Sequence, residues 1–330
     1  MLNGAGGKGM VAMELGRPNQ EVFANTLLEL ARRDRDIVVV TSDSRGSGRL
    51  GPFARELPDQ IIEVGIAEQN LVGIAAGLTS AGKRVFAVSP ACFLTARALE
   101  QIKNDVAYSD HPVKLVGISA GVSYGALGST HHSLHDLASL QAIHNIDIVV
   151  PADNLETRAA VEAAIRHPRP LYLRLGKKPM HHLHPPETTF TIGKALRVRV
   201  GDEVAFLAIG ETVEVAAQAA DLLAERGISA EVLSIHSLRP FDEAAVLRMA
   251  QRVRAIVTVE EHSIHGGLGS RVATLLMQAG VTPRMRIVGI PDEYTWTGSQ
   301  QEIFAHYGIT PLGLASAAIS LLEEKLELAL

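Results

Sequence analysis

Short runs of β-branched and aliphatic residues alternate along this chain with stretches whose apolar positions recur every three or four residues. That alternation restricts the fold more than any other feature, because strands separated by helices assemble into parallel sheets from βαβ units. An amphipathic stretch over Gln20–Arg33 precedes a strand at Ile37–Thr41, and a second helix opens at Glu68. A strand at Arg84–Ser89, a helix over Phe93–Tyr108 and a strand at Val113–Ile118 follow. Residues Gly117–Thr130 then form a long Gly/Ser-rich loop. Val149 and Val150 end a short strand, Leu155–Arg166 has helical spacing, and Leu171–Leu175 closes the series. Beyond this the chain loses its period: KKPMHHLHPP, residues 177–186, is proline-rich and marks a linker with a boundary near residue 185. Strand patterns resume at Glu203–Ile209, Ala230–Ile235, Ala255–Glu260 and Arg286–Ile290. The expected fold class is α/β, with two parallel-sheet domains.

Composition narrows the functional classes. A chain of 330 residues can supply two domains, each with its own core. The formal net charge of -5 argues against a nucleic-acid binder, which normally presents a basic face. A single cysteine, Cys92, rules out an internal disulfide framework and suits a reducing compartment; its apolar neighbours suggest a buried structural thiol. No apolar run of membrane-spanning length stands out. The opening MLNGAGGKGMVAMELG lacks a signal-peptide core and reads as a Gly-rich lead-in, so the expected location is cytoplasmic.

The most informative segment is IIEVGIAEQN, residues 61–70. A β-type run ends at Gly65, and Glu68 opens the apolar-periodic stretch Leu71–Leu78. A carboxylate at a strand-to-helix turn lies at the carboxyl edge of an α/β sheet, where ligands bind. Asp and Glu are also common in any first helical turn, so Glu68 alone decides nothing. His131, His132 and His135 crowd one stretch, but only Asp136 offers a carboxylate near them, and no metal ligand set is assigned.

Read in order, GIAEQNLVGIAAGL, PACFLTARALEQIKNDV, GSTHH, VVPADNLETRAAV and PLYLRLGKK resemble the pyrimidine-binding half of thiamine diphosphate enzymes of the transketolase and deoxyxylulose-phosphate synthase type. VTVEEHSIHGGLGS, residues 257–270, resembles the last domain of that family. The resemblance implies a lead-in over 1–16, a thiamine diphosphate pyrimidine-binding domain over 17–178, a linker over 179–192 and a transketolase C-terminal domain over 193–330. It implies that Glu68 hydrogen-bonds the aminopyrimidine ring in a dry site, where low dielectric strengthens that bond. It places Phe93 as a stacking surface for the ring. His131 becomes the cleft histidine facing substrate, and Arg174 a clamp for the anionic end of the substrate. Asp43 and Ser47, in TSDSRGSG, follow a strand and are candidates to touch cofactor and substrate respectively. Two positions depart from the family pattern. Pro90 falls where a first aromatic is usual, and Leu127 stands where an aspartate usually precedes the histidine by four residues.

One motif is missing. The family holds the diphosphate through Mg2+ with a Gly-Asp-Gly signature, and the nearest match here is Gly201-Asp202-Glu203. The chain therefore resembles the C-terminal subunit of a split transketolase, moving a two-carbon ketol unit from a phosphorylated or sulfonated ketose to an aldehyde. A partner polypeptide would carry the diphosphate motif and the Mg2+, in an expected α2β2 assembly that buries the apolar face of Leu71–Leu78 between chains. Two alternatives stay open: the β subunit of a 2-oxo acid dehydrogenase, and a non-catalytic partner subunit.

Overall fold

Runs such as Ile37–Thr41 and Leu171–Arg174 carry no polar alternation, the mark of strands buried on both faces. A computed structural model describes residues 14–323 and places these runs among the interior strands of a mostly parallel sheet. The strands of the first half are β1 (Leu15–Pro18), β2 (Ile37–Thr41), β3 (Ile61–Glu63), β4 (Arg84–Pro90), β5 (Lys114–Ile118), β6 (Asp147–Val149), β7 (Leu171–Arg174) and β8 (Pro179–His181). Those of the second half are β9 (Leu196–Arg199), β10 (Val204–Ala208), β11 (Ala230–Ser234), β12 (Ser237–Arg239), β13 (Ala255–Ser263) and β14 (Arg284–Ile290).

The larger sheet has seven strands in the order β12-β6-β7-β5-β4-β2-β3, and the smaller has five in the order β14-β13-β10-β11-β9. Within these two sheets only the edge strands β12 and β9, among the described residues, run antiparallel to their neighbours. Helices cover both faces of the larger sheet. Phe23 and Leu27 of helix Asn19–Ala31 pack with Ala160 and Val161 of helix Asn154–Arg166 on one face. Leu71, Val72 and Ala75 of helix Glu68–Ser80 pack on the other.

Four expectations need correction. The linker is not structureless: β8 pairs antiparallel with β1, so Leu15–Pro18 is a strand rather than lead-in, while residues 1–13 lie outside the described residues. The expected helix Phe93–Tyr108 starts at Ala91, breaks at Ala98 and finishes as a wide π-type turn over Ile102–Tyr108. Each half has a buried cluster of its own, but the two are not independent, since a third cluster runs from Leu71 and Leu115 through Ile148 to Leu207, Val246 and Leu268. Finally, residues 300–323 contain a window of mean hydropathy 1.2, long enough in principle to cross a membrane. The structure breaks it at Gly308, whose φ of 71° ends the helix Gln300–His306. Phe304, Leu314 and Leu321 bury its apolar side in the second core.

Candidate active site

All the parallel strands of the larger sheet end at one edge, and the connections leaving β2, β3, β4, β5 and β7 meet there. Glu68 begins its helix at that edge and is only 1% exposed. Its Oε2 accepts a short hydrogen bond from the Arg97 guanidinium. Arg97 ends the helix that follows β4 and sits one turn beyond Phe93, so both project from the same helical face. The guanidinium lies 5.4 Å from the Phe93 ring centroid.

From Phe93 the contacts continue. The His131 ring meets Phe93 edge-on at 5.2 Å and meets Tyr124 in the same way at 5.4 Å. The Lys177 ammonium lies 5.0 Å from the Tyr124 centroid. A continuous line of side chains thus joins a buried carboxylate to an exposed ammonium, through three half-buried rings. His131 Nδ1 lies 3.0 Å from Thr130 Oγ1, which leaves Nε2 as the nitrogen for an outside partner. His132 turns inward instead, with Nε2 2.9 Å from the Gly125 carbonyl; burial lowers its pKa.

The structure brings Glu68, Phe93 and His131 together. Asp43 lies near the turn that carries Glu68: its backbone N–H donates to Glu63 Oε1 at 2.6 Å, and the Gly65 N–H donates to the same oxygen at 3.1 Å. Its φ of 49° puts it in the left-handed region, a conformation Asp tolerates better than most residues. Ser47 is exposed on the same loop, outside the line from Glu68 to Lys177.

Arg174 is not where the resemblance puts it. It is 5% exposed and its Nε donates to Asp136 Oδ2 at 2.8 Å. Its Nη2 donates to the carbonyls of Ser133 and Glu261. Tyr172 Oη donates to the same Asp136 oxygen at 2.8 Å. Burial pushes the Asp136 carboxyl up, but Arg174, His262 and Tyr172 outweigh it and hold the pKa below the usual carboxylate value. Arg174 therefore ties the two halves together from inside, and the cation that the strand presents to the mouth is Lys177. Sequence reading missed Arg97, Tyr124 and Lys177. Arg97 had a signal in its four-residue spacing from Phe93, and Lys177 in its place just past a strand end.

Several secondary expectations can be placed. Pro90 ends β4 opposite Ile118, so Phe93 is the aromatic at this turn that faces the mouth. Leu127 is 56% exposed on the turn before His131. Burial pushes the Cys92 thiol up to about 11, which makes it a poor nucleophile. His184, in the proline-rich linker, is buried with Nε2 2.8 Å from Glu156 Oε1. Gly266 and Gly267 allow close packing, since a Cβ at Gly267 would collide with the Glu260 carboxylate. Among the described residues no group of His, Cys, Asp or Glu side chains is arranged to hold a metal.

Residues 17–181 match the model of the transketolase pyrimidine-binding domain, and residues 193–314 that of the transketolase C-terminal domain. The chain belongs to the transketolase family. It is 48% identical over 303 residues to an apulose-4-phosphate transketolase subunit of Phocaeicola vulgatus, covering 92% of this chain and 96% of the relative. It is 36% identical to the 6-deoxy-6-sulfo-D-fructose transketolase subunit SqwH of a Clostridium species, covering 93% and 95%. A solved structure described as a split-gene transketolase in an inactive β4 tetramer superposes with a TM-score of 0.86 at 34% identity, covering 93% of this chain and 99% of that one. The transketolase fold supports ketol transfer, and membership of the family implies dependence on thiamine diphosphate. The residues present fit the pyrimidine end of that cofactor. A carboxylate buried at the mouth and a half-buried phenyl ring beside it are what a flat, hydrogen-bonding heterocycle requires.

Proposed function

We propose that this chain is the pyrimidine-side subunit of a split transketolase. In this reading it transfers a two-carbon ketol unit from a ketose with a phosphate or sulfonate tail to an aldehyde. The observation that carries the reading is the line Glu68–Arg97–Phe93–His131–Tyr124–Lys177 at the carboxyl edge of the sheet. Glu68 would hold the pyrimidine ring nitrogen, and Phe93 would supply the stacking face. When bound, the cofactor provides the nucleophilic carbon on which the two-carbon unit travels. His131 presents Nε2 to a donor hydroxyl and can accept or return its proton. Lys177 takes the role first given to Arg174. As a compact point charge on a flexible stem it suits a phosphate or sulfonate oxygen without fixing one orientation.

A Gly-Asp-Gly signature does not occur in the sequence, so we assign the diphosphate and Mg2+ ligands to a second polypeptide. The two relatives named as transketolase subunits support that division, and we assign an α2β2 assembly as a closed symmetric arrangement of the two kinds of chain. Leu127, exposed on the turn before His131, offers no hydrogen-bonding group where the family usually has an aspartate, so a donor hydroxyl that such an aspartate would hold loses a partner. The donor is therefore one of the less usual ketoses, with apulose 4-phosphate favoured by the 48% identical relative.

One experiment tests this reading. The chain is reconstituted with its Gly-Asp-Gly-bearing partner, thiamine diphosphate and Mg2+, then assayed with apulose 4-phosphate, 6-deoxy-6-sulfo-D-fructose and xylulose 5-phosphate. The expected order puts one of the first two ahead of xylulose 5-phosphate. Glu68→Gln should lower turnover by about 10²–10⁴-fold while cofactor affinity changes far less. Near-native turnover in Glu68→Gln removes that residue from the mechanism. Best activity on xylulose 5-phosphate overturns the substrate assignment.

A further inference from the structure

Two buried carboxylates of the second half, Glu211 and Glu261, meet behind the candidate site at 4% and 3% exposure. Like charges taken out of water repel strongly, so such a pair needs something specific between it. Here that group is one side-chain amide. Gln300 Nε2 donates to Glu211 Oε2 and to Glu261 Oε1, both at 2.7 Å. Gln300 is itself fixed, because it opens a helix whose capping box is built from Ser299 and Glu302.

Each carboxylate touches a different loop of the first half. Glu261 Oε1 also accepts the Val122 N–H at 2.9 Å, and a Cβ at Gly121 would collide with the Glu261 side chain. The Gly121 carbonyl in turn accepts the Ser133 N–H at 2.7 Å, which closes the loop carrying Tyr124 and His131 at both of its ends. Glu211 lies against the second loop: a Cβ at Gly176 would collide with it, and the Lys178 ammonium is 3.9 Å away. Lys177 stands between those two residues. We propose that Glu211, Gln300 and Glu261 form a bridge that positions both site loops at once, setting the distance between His131 and the Lys177 ammonium.

These are positioning residues, since none lies in the line from Glu68 to Lys177. The inference rests on the functional reading above only for what the two loops bind. The pair also has an electrostatic signature. The charged groups facing it are Arg174, Lys178 and the two carboxylates themselves. Burial, reinforced by repulsion from Glu211, pushes Glu261 up to about 7, and burial raises Glu211 as well. The bridge therefore takes up a proton near neutral pH.

Two measurements on Gln300→Leu separate this bridge from general support of the fold. In hydrogen–deuterium exchange on the full chain, protection should fall about tenfold in 120–133 and 175–180 together, with strand β2 unchanged. In the reconstituted enzyme, KM for apulose 4-phosphate should rise about tenfold with kcat changed much less, as expected when a binding loop is displaced. Gln300→Asn, one methylene shorter and unable to reach both carboxylates, serves where the leucine variant fails to fold. Glu261→Gln keeps an acceptor for Val122 but cannot ionise, so the limb near pH 7 in the KM profile should disappear. Loss of protection in only one loop, or equal loss throughout the chain, overturns the bridge. Absence of ketol transfer in the wild-type pair refutes the functional reading instead, and the exchange result then still decides the bridge.

Discussion

Arg174 and Asp136 are more than 90% buried and paired, so removing one leaves the other as an uncompensated charge. Arg174→Met should therefore lower unfolding free energy by about 3–5 kcal/mol in denaturant titration, and Asp136→Asn in the same chain should recover part of the loss. If the protein that still folds instead shows a raised KM for the anionic donor with unchanged stability, Arg174 is a clamp after all. The sequence cannot separate these roles. An arginine at a strand end reads the same whether it faces a cleft or a carboxylate 38 residues earlier in the chain. Glu68 was legible because strand, glycine and helix start are all local signals. Lys177 was passed over because Arg174 stood three residues away with a stronger family precedent.

Strand β13 carries Glu260, Glu261 and His262 in succession, all buried, which is a heavy polar load for the middle of a sheet. Glu260 is satisfied by the N–H groups of Leu268 and Gly269 at the start of the next helix, yet burial pushes it up to about 7. Burial pushes His262 down to about 4. Carboxylates with folded pKa values above their unfolded ones stabilise the fold at low pH and lose that contribution as pH rises through about 7. The histidine, whose folded value lies below its unfolded one, contributes above pH 6.5 and loses it as pH falls toward 4. Between about pH 5 and 7 the two carboxylates outweigh the one histidine, so thermal stability should fall across that range, and Glu260→Gln should flatten the fall. A stability curve that rises between about pH 5 and 7 would contradict this. At this scale the strands were readable where they were long and apolar, as in β4 and β10. The three-residue strand β12 was not, because nothing local marks it; its partner β6 lies beyond two intervening helices and the linker.

The apolar side of helix Glu68–Ser80 was expected to lie between subunits, but Leu71, Val72, Ala75 and Ala76 fill this chain's own core. The helix leaves Gln69, Asn70, Gly77 and Ser80 exposed and Gly73 half-buried, with open space beside both glycines, and Ile66 at 74% exposure lies just before it. A smooth helix face and an exposed isoleucine next to a half-built site suit association with another polypeptide. The isolated chain should therefore self-associate in light scattering and show no ketol transfer until the partner is added. A stable, catalytically active monomer would refute this.

Strand β12 belongs by sequence to the second half and by hydrogen bonding to the first sheet, where it covers the edge of β6. A gene broken between residues 182 and 195 would deprive the first product of that cover and leave an unpaired strand open to aggregation. It would also open the hydrophobic cluster that both halves share. A cut within this stretch therefore damages both products, and the two domains fold as a single unit.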